Sequence, residues 1–388
     1  MDDLAAVFDP QLIFDFPDPY PLFAELRRTS PVTSFRVLNR LSYVVTRYDD
    51  VRTVLQDAET YSSRANAEVG RYMGRTLIEM DGAEHSRTRA LVQRAFGPRT
   101  LEALTPAIER LAHELVDGFA GDGRADLVAQ FTLLFPLQVI AEILGLPSSD
   151  HAQFQRWSLD LIAFSKDPAR GRAAAERLQD YFLPFIGRRR QEPRADVISR
   201  LVTGTVGGAG LTDEEVVSFL RLLLPAGAET TSRLLGSLLY ALLVEPERLA
   251  RVDANRSLVP WAIEETLRWE TPVVFVARQT TRPVEVAGVA IPEDAVVSAI
   301  IGSANRDETH FADPDRFDLD RRAEDHLSFA FGRHFCLGYH LAKLEARLGL
   351  TLILDRLKGL RFDPAEPVPA ITGLAFRSPR SLPVRFDA

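Results

Sequence analysis

Residues 329–338 read FAFGRHFCLG, and Cys336 within that decapeptide is the only cysteine of the 388-residue chain. Phe329, Gly332 and Gly338 stand at −7, −4 and +2 relative to it. A lone cysteine is most often a buried structural residue, and it is this spacing that argues for something else. A thiolate bound to a metal has to be kept from water and from protonation. Small neighbours permit that, by letting backbone N–H groups come close to sulfur. The apolar run LGYHLAKLEARLGL follows at once and reads as a helix over residues 337–357. The positive end of its dipole faces the sulfur and favours the charged form.

Working outward, the chain is 46% hydrophobic and 26% charged, which is ordinary globular composition. Its net charge of −8 excludes the strong basic face that a nucleic-acid binder needs. A single cysteine cannot form an intramolecular disulfide. The opening MDDLAAVFDPQLIFDFPDPYPLF has neither the basic start and apolar core of a signal peptide nor a membrane-spanning apolar run. A soluble, cytoplasmic protein without a membrane partner is expected. No linker divides the sequence, so residues 1–388 are read as one domain.

The hydrophobic periodicity predicts helices over residues 84–96, 101–119, 127–144 and 258–269. Residues 41–46 are β-prone, and residues 273–301 turn to β-branched alternation broken by Gly and Pro. The stretch 204–210 holds four glycines but no Lys-Ser/Thr pair, so it reads as a connector rather than a phosphate loop. Thr212 and Glu215 form a capping box. The apolar run beyond it, to Val244, predicts one helix of about 48 Å at ~1.5 Å per residue. The fold class is therefore mainly α with a small β region.

Three further motifs lie in this frame. Glu229 and Thr230 place a carboxylate beside a hydroxyl just after Ala226-Gly227, and Pro225 disturbs the helix there. The small residues would leave a groove along the helix. Glu265 and Arg268 are three apart on one helix face. His85 and Arg89 are four apart and project from the same side. Taken alone, the Glu265–Arg268 pair and the His85 and Arg89 side chains are ordinary surface charges more often than ligands, whereas a plain surface pair is the lesser reading of Glu229–Thr230.

Taken together and in this order, they resemble the cytochromes P450 of the soluble bacterial type, from about residue 81 to the C-terminus. The resemblance implies a P450-like fold with haem b (iron protoporphyrin IX) between the long central helix and the helix after the Cys loop. It implies Cys336 as the iron ligand, with Phe329, Gly332, Gly338, Ala226 and Gly227 lining the haem. His85, Arg89, Arg278 and His334 would hold its propionates, since Arg pairs with carboxylates bidentately. Glu229 and Thr230 would organise proton delivery during dioxygen activation. Glu265, Arg268 and Arg321, the last after Pro314 and Phe317, would form a structural triad. Two departures are Ala330, where bacterial members usually have Gly, and Pro225.

The implied activity is a monooxygenase acting on a small apolar organic substrate. It would have no fused reductase and would draw electrons from a ferredoxin and ferredoxin reductase. A peroxide-driven enzyme and a gas-sensing haem protein are the rivals, and neither needs an acid–alcohol pair. By family position the substrate pocket would use Tyr72, Met73, Phe164, Leu223, Ala226 and residues 273–276 and 374–376. Arg87 and Arg94, seven apart on one helix face, are expected to point outward with Arg333 and Lys343 and receive an acidic ferredoxin.

Overall fold

A computed structural model describes residues 16–37, 40–93 and 96–387. Most expected helices form within a few residues of the sequence reading: Gly82–Gln93, Pro98–Asp117, Val259–Trp269 and Tyr339–Arg356. The first turns of Pro98–Asp117 and Val259–Trp269 carry a proline, which costs nothing where no N–H partner exists. A helix the periodicity did not single out, Pro168–Gln191, has clear local causes. Asp167 accepts from the backbone N–H of Arg170, Pro168 opens the first turn, and Arg188, Arg189 and Arg190 sit at the negative end of the dipole.

Two expected helices are interrupted. Residues 127–144 are not one helix; a π-helical turn, Val128–Thr132, precedes the α-helix Leu134–Ile143. The central helix begins as expected, with both hydrogen bonds of the Thr212–Glu215 capping box in place. It runs as α from Asp213 to Leu223, widens to a π segment Leu224–Glu229, and resumes as α over Thr230–Leu243. Pro225 has no N–H to donate, and its ring crowds the preceding turn, so the chain opens rather than breaks.

The β region starts earlier than expected. A five-stranded sheet has the spatial order Val32–Val37, Arg40–Val45, Val296–Ala299, Val276–Thr280, Tyr61–Ser62. The Arg40–Val45 and Val296–Ala299 strands are parallel; the other pairings are antiparallel. The sheet packs its own apolar cluster around Val45, Val54, Val297 and Ala299. The main core is helical, with the central helix packed on Val259–Trp269, Tyr339–Arg356 and Leu134–Ile143.

One buried network joins the helical body to the loops before Cys336. Glu265 and Arg268 are fully buried and pair through two bonds, of 2.8 and 2.7 Å. Arg321 reaches the same Glu265 carboxylate at 3.2 Å, and the Asp318 N–H donates to it at 2.9 Å. Arg268 also donates to the carbonyls of Asn305, Pro314 and Arg316. Among the described residues no helix is long and apolar enough to cross a membrane.

Candidate active site

The Cys336 loop is shaped by backbone geometry. Cys336 N–H donates to Phe329 O at 2.8 Å, which folds the loop back on itself. Burial pushes the thiol up, while the Gly338 backbone N–H and the nearby Arg89 charge pull it down. Burial outweighs the other two, so the Gly338 N–H and Arg89 offset the cost of a thiolate only in part. Gly332 has φ +73°, and a Cβ there would sit 3.0 Å from Gln56 Cα and 3.1 Å from Leu55 O. Gly338 has open space around it; its contribution is its N–H toward the sulfur. Phe329 packs edge-on against Tyr339, ring centroids 5.6 Å apart.

Ala330 has φ +59°, a left-handed conformation that costs a residue with a Cβ about 1–2 kcal/mol. This is why the position favours Gly. Ala330→Gly should raise stability by about 0.5–1 kcal/mol, the strain relieved exceeding the added freedom of the unfolded chain. A rise of roughly 1–3 °C in the thermal midpoint, measured by calorimetry, is the expected result.

A basic cluster converges beside the loop from three separate segments: the helix Gly82–Gln93, the strand Val276–Thr280 and the loop itself. The rings of His85 and His334 are 4.2 Å apart. Arg89 donates to Phe335 O at 2.7 Å, so it points toward the loop. Arg278, from the sheet, is buried and donates to Ala277 O. Burial, with little compensation from Asp81, pushes Arg278 down to about 10. His334 is pushed down to about 3 by burial and by the Arg278 and His85 charges. Burial and Arg89 likewise lower His85, whose buried Nε2 has no hydrogen-bond partner. Two guanidiniums beside two imidazoles kept neutral by burial and by those charges, with one orphaned ring nitrogen, suit a ligand bearing carboxylates.

On the central helix Thr230 Oγ1 donates back to Ala226 O at 2.8 Å, and Glu229 accepts from Arg233 at 2.7 Å. Ala226 is exposed, on the π segment. A Cβ at Gly227 would meet Ile140 Cδ1 at 2.9 Å. The small size of Gly227 serves the packing of Leu134–Ile143 on the central helix.

Other residues differ from expectation. Val274 and Leu374 are sealed in a cluster with Tyr20, Phe23 and Phe35, and Met73 is fully buried in the main core. Tyr72 and Phe164 remain partly exposed, with ring centroids 4.8 Å apart. Arg87 does not stand free for a partner: it pairs with Glu215 of the central helix at 2.6 Å and donates to Gly210 O. Arg94 lies outside the described residues.

The sequence reading missed the supports of this site. Ser63 Oγ lies 3.0 Å from His334 Nε2, and Asp81 accepts from Ser62 and from the Ser63 N–H. Buried Glu264 joins His326 at 3.1 Å and also Lys343, tying together the two sides of the Cys336 loop. No local pattern marks such pairs, because their members are far apart along the chain.

The family model described as Cytochrome P450 matches residues 137–379. The chain is 36% identical over 385 residues to the cytochrome P450 monooxygenase PikC of Streptomyces venezuelae, covering 95% of this chain and 91% of that protein. It is 38% identical over 376 residues to the mycinamicin IV hydroxylase/epoxidase of Micromonospora griseorubida, covering 93% and 94%. Among solved structures, cytochrome P450 CYP109Q5 from Chondromyces apiculatus matches with a TM-score of 0.90 at 40% identity, over 98% of both chains. CYP109E1 from Bacillus megaterium, in complex with testosterone, matches with a TM-score of 0.89 at 34% identity, over 96% and 100%.

Proposed function

The chain belongs to the cytochrome P450 family of haem-binding monooxygenases, and from that premise we propose that it inserts one atom of dioxygen into an apolar organic substrate. Electrons come from a separate ferredoxin and its reductase, in the cytoplasm, where a lone thiol stays reduced. The observation that carries this reading is the Cys336 loop beside the basic cluster. The Cys336 thiol, with the Gly338 N–H and Arg89 beside it, lies next to His85, Arg278 and His334, which have Asp81 as their nearby carboxylate.

Those residues fit haem b. Cys336 would ligate the iron, and His85, Arg89, Arg278 and His334 would hold the two propionates. Haem, when bound, supplies the reductive activation of dioxygen; the protein binds, orients and excludes water. The two carboxylates would neutralise the cluster and give His85 Nε2 a partner. Gly332 keeps the loop close to the residues at the end of Tyr48–Gln56, and Phe329 packs behind it. Tyr72, Phe164, Ala226, Val273, Val276 and Phe376, all with some surface exposed, form the apolar lining proposed for the substrate.

Thr230 opens the α-helix that follows the π segment, and its hydroxyl donates to Ala226 O. Glu229 stands one residue before it, anchored by Arg233, as a carboxylate able to pass protons inward from the helix flank. Thr230→Ala should leave reductant consumption within about twofold while product per reductant falls several-fold, the balance appearing as peroxide. Stoichiometric assay of reductant, peroxide and product checks this. Equal coupling in both proteins would make the hydroxyl a bystander.

For the electron donor, Arg333 is half exposed on the Cys336 loop and only loosely paired, 3.9 Å from Glu59. Arg52 is exposed and lies over the Phe331 ring, 4.5 Å from its centre. Lys343 is engaged with Glu264 and contributes less. Charge steering acts on association rate and fades with salt. Arg333→Glu should therefore slow reduction by an acidic ferredoxin about three- to tenfold at low ionic strength, with the difference vanishing near 0.5 M salt. Stopped-flow reduction at several salt concentrations is the measurement; an unchanged rate at low salt would move the docking face elsewhere.

A further inference from the structure

We propose that Arg233 is a positioning residue for proton delivery, and that protons enter at the cleft where it holds Glu229 rather than through the groove at Ala226 and Thr230. That role rests on the function proposed above and says where its protons come from. Glu229 and Arg233 are four residues apart, so their side chains leave the central helix on the same side. Thr230, the next residue, points about 100° away, and its hydroxyl is turned back to Ala226 O.

A cleft of about 330 Å³ opens on the Glu229 side, between the central helix, the end of the helix His151–Ile162 and the C-terminal hairpin. Ala228, Glu229, Ser232 and Arg233 line it; Ala226 and Thr230 do not. Its rim includes the exposed Lys166 and Arg380. The Glu229 side chain keeps 16% of its surface exposed, so water from outside reaches the carboxylate without crossing the Thr230 groove. Polar walls and this volume suit several waters.

The guanidinium is held from two sides. One of its amino groups donates to Glu229 Oε1 at 2.7 Å. The other reaches Phe376 O and Ser378 Oγ at 3.4 and 3.3 Å, and the guanidinium carbon stands 5.4 Å from the centre of the Phe376 ring. A planar fork of donors can serve the carboxylate and the hairpin at once, which an ammonium cannot do as rigidly. A glutamate side chain has several torsions and, unpaired, would sample more than one direction. Clamped between the hairpin and Arg233, its carboxylate stays at the cleft. An i,i+4 pair adds little to stability, so fold stability alone is not a sufficient reason for it. Each cycle moves one proton inward: the carboxylate takes it from a hydronium in the cleft, releases it to water on the Thr230 side, and is a carboxylate again.

The test uses the haem-loaded enzyme with excess ferredoxin and reductase and no added substrate, so substrate identity does not enter. Arg233→Gln and Leu159→Trp, whose indole fills the cleft, should each slow aerobic reductant consumption by about three- to tenfold. The solvent isotope effect on that rate should rise in both. Anaerobic reduction of the haem, which bypasses the delivery step, should keep its wild-type rate. Arg233→Lys retains a cation four residues from Glu229 and should recover most of the loss. In a Glu229→Gln background neither Arg233→Gln nor Leu159→Trp should slow consumption further, because both act through the acid. A full additional loss in that background would overturn the assignment, as would a Lys variant as slow as the Gln variant. Wild-type rates in Arg233→Gln and Leu159→Trp beside a slow Glu229→Gln would remove Arg233 and the cleft alone. A Glu229→Gln enzyme at the wild-type rate would instead sink the part given to the acid in the function proposed above.

Discussion

Cys336→His should abolish the strongly red-shifted absorption band that reduced, carbon monoxide-treated thiolate haem proteins display, and with it monooxygenase turnover. The chain has no second thiol to take over. The fold should survive, since Cys336 is only partly buried and the loop is shaped by the Cys336–Phe329 backbone bond and by Gly332. Imidazole lacks the electron donation that favours O–O cleavage. A loss of about three orders of magnitude in rate, ~4 kcal/mol of barrier, is the scale expected. The measurements are the difference spectrum, haem content and turnover with a reconstituted donor. An unchanged spectrum in the variant would remove Cys336 from the site altogether.

The second large effect concerns folding rather than chemistry. Arg268→Ala should remove most accumulation of folded protein. It deletes both bonds to a carboxylate that water does not reach, together with donors to three loop carbonyls. Breaking a buried pair by removing one partner costs about 3–5 kcal/mol, a large fraction of the 5–15 kcal/mol that holds a domain folded. Arg321→Ala should cost less, because its side chain is partly exposed and its one bond to Glu265 is long at 3.2 Å. Glu265 then keeps Arg268 and the Asp318 N–H. Soluble yield and denaturant midpoints of the two variants check the order. Equal losses would mean that the third member carries as much as the second.

What could be read from the sequence was whatever is local. The Thr212–Glu215 capping box lies within four residues and forms as written. The Glu265–Arg268 pair is likewise local, three residues apart on one helix, whereas Arg321, 56 residues beyond Glu265, was nominated only by the family resemblance. The Cys336 loop was legible because the positions of its small and aromatic residues are fixed relative to sulfur. Partners distant in sequence were not legible. A helical wheel gives the direction of Arg87 but not the Glu215 that comes to meet it. Asp81 and Ser63 carry no mark that they will support His334. Position within the family nominated Val274 and Leu374 for the substrate, but the N-terminal helix Tyr20–Thr29 closes over them with Tyr20 and Phe23. The small size of Gly227 was visible, but the neighbour that demands it was not.

The π segment Leu224–Glu229 also bears on how this chain tolerates a change in length. A π turn is an α-helix that has absorbed one surplus residue in place. Each residue of an ordinary helix turns the remainder by about 100°. Deleting one from Thr230–Leu243 would swing part of its apolar side, with Leu234, Leu238 and Leu242 now buried, out of the core. Deleting one from Leu224–Ala228 would instead let the segment tighten to α and leave the faces on either side where they are. The central helix therefore has one stretch where a single-codon deletion can be absorbed, and it lies immediately before the acid–alcohol pair.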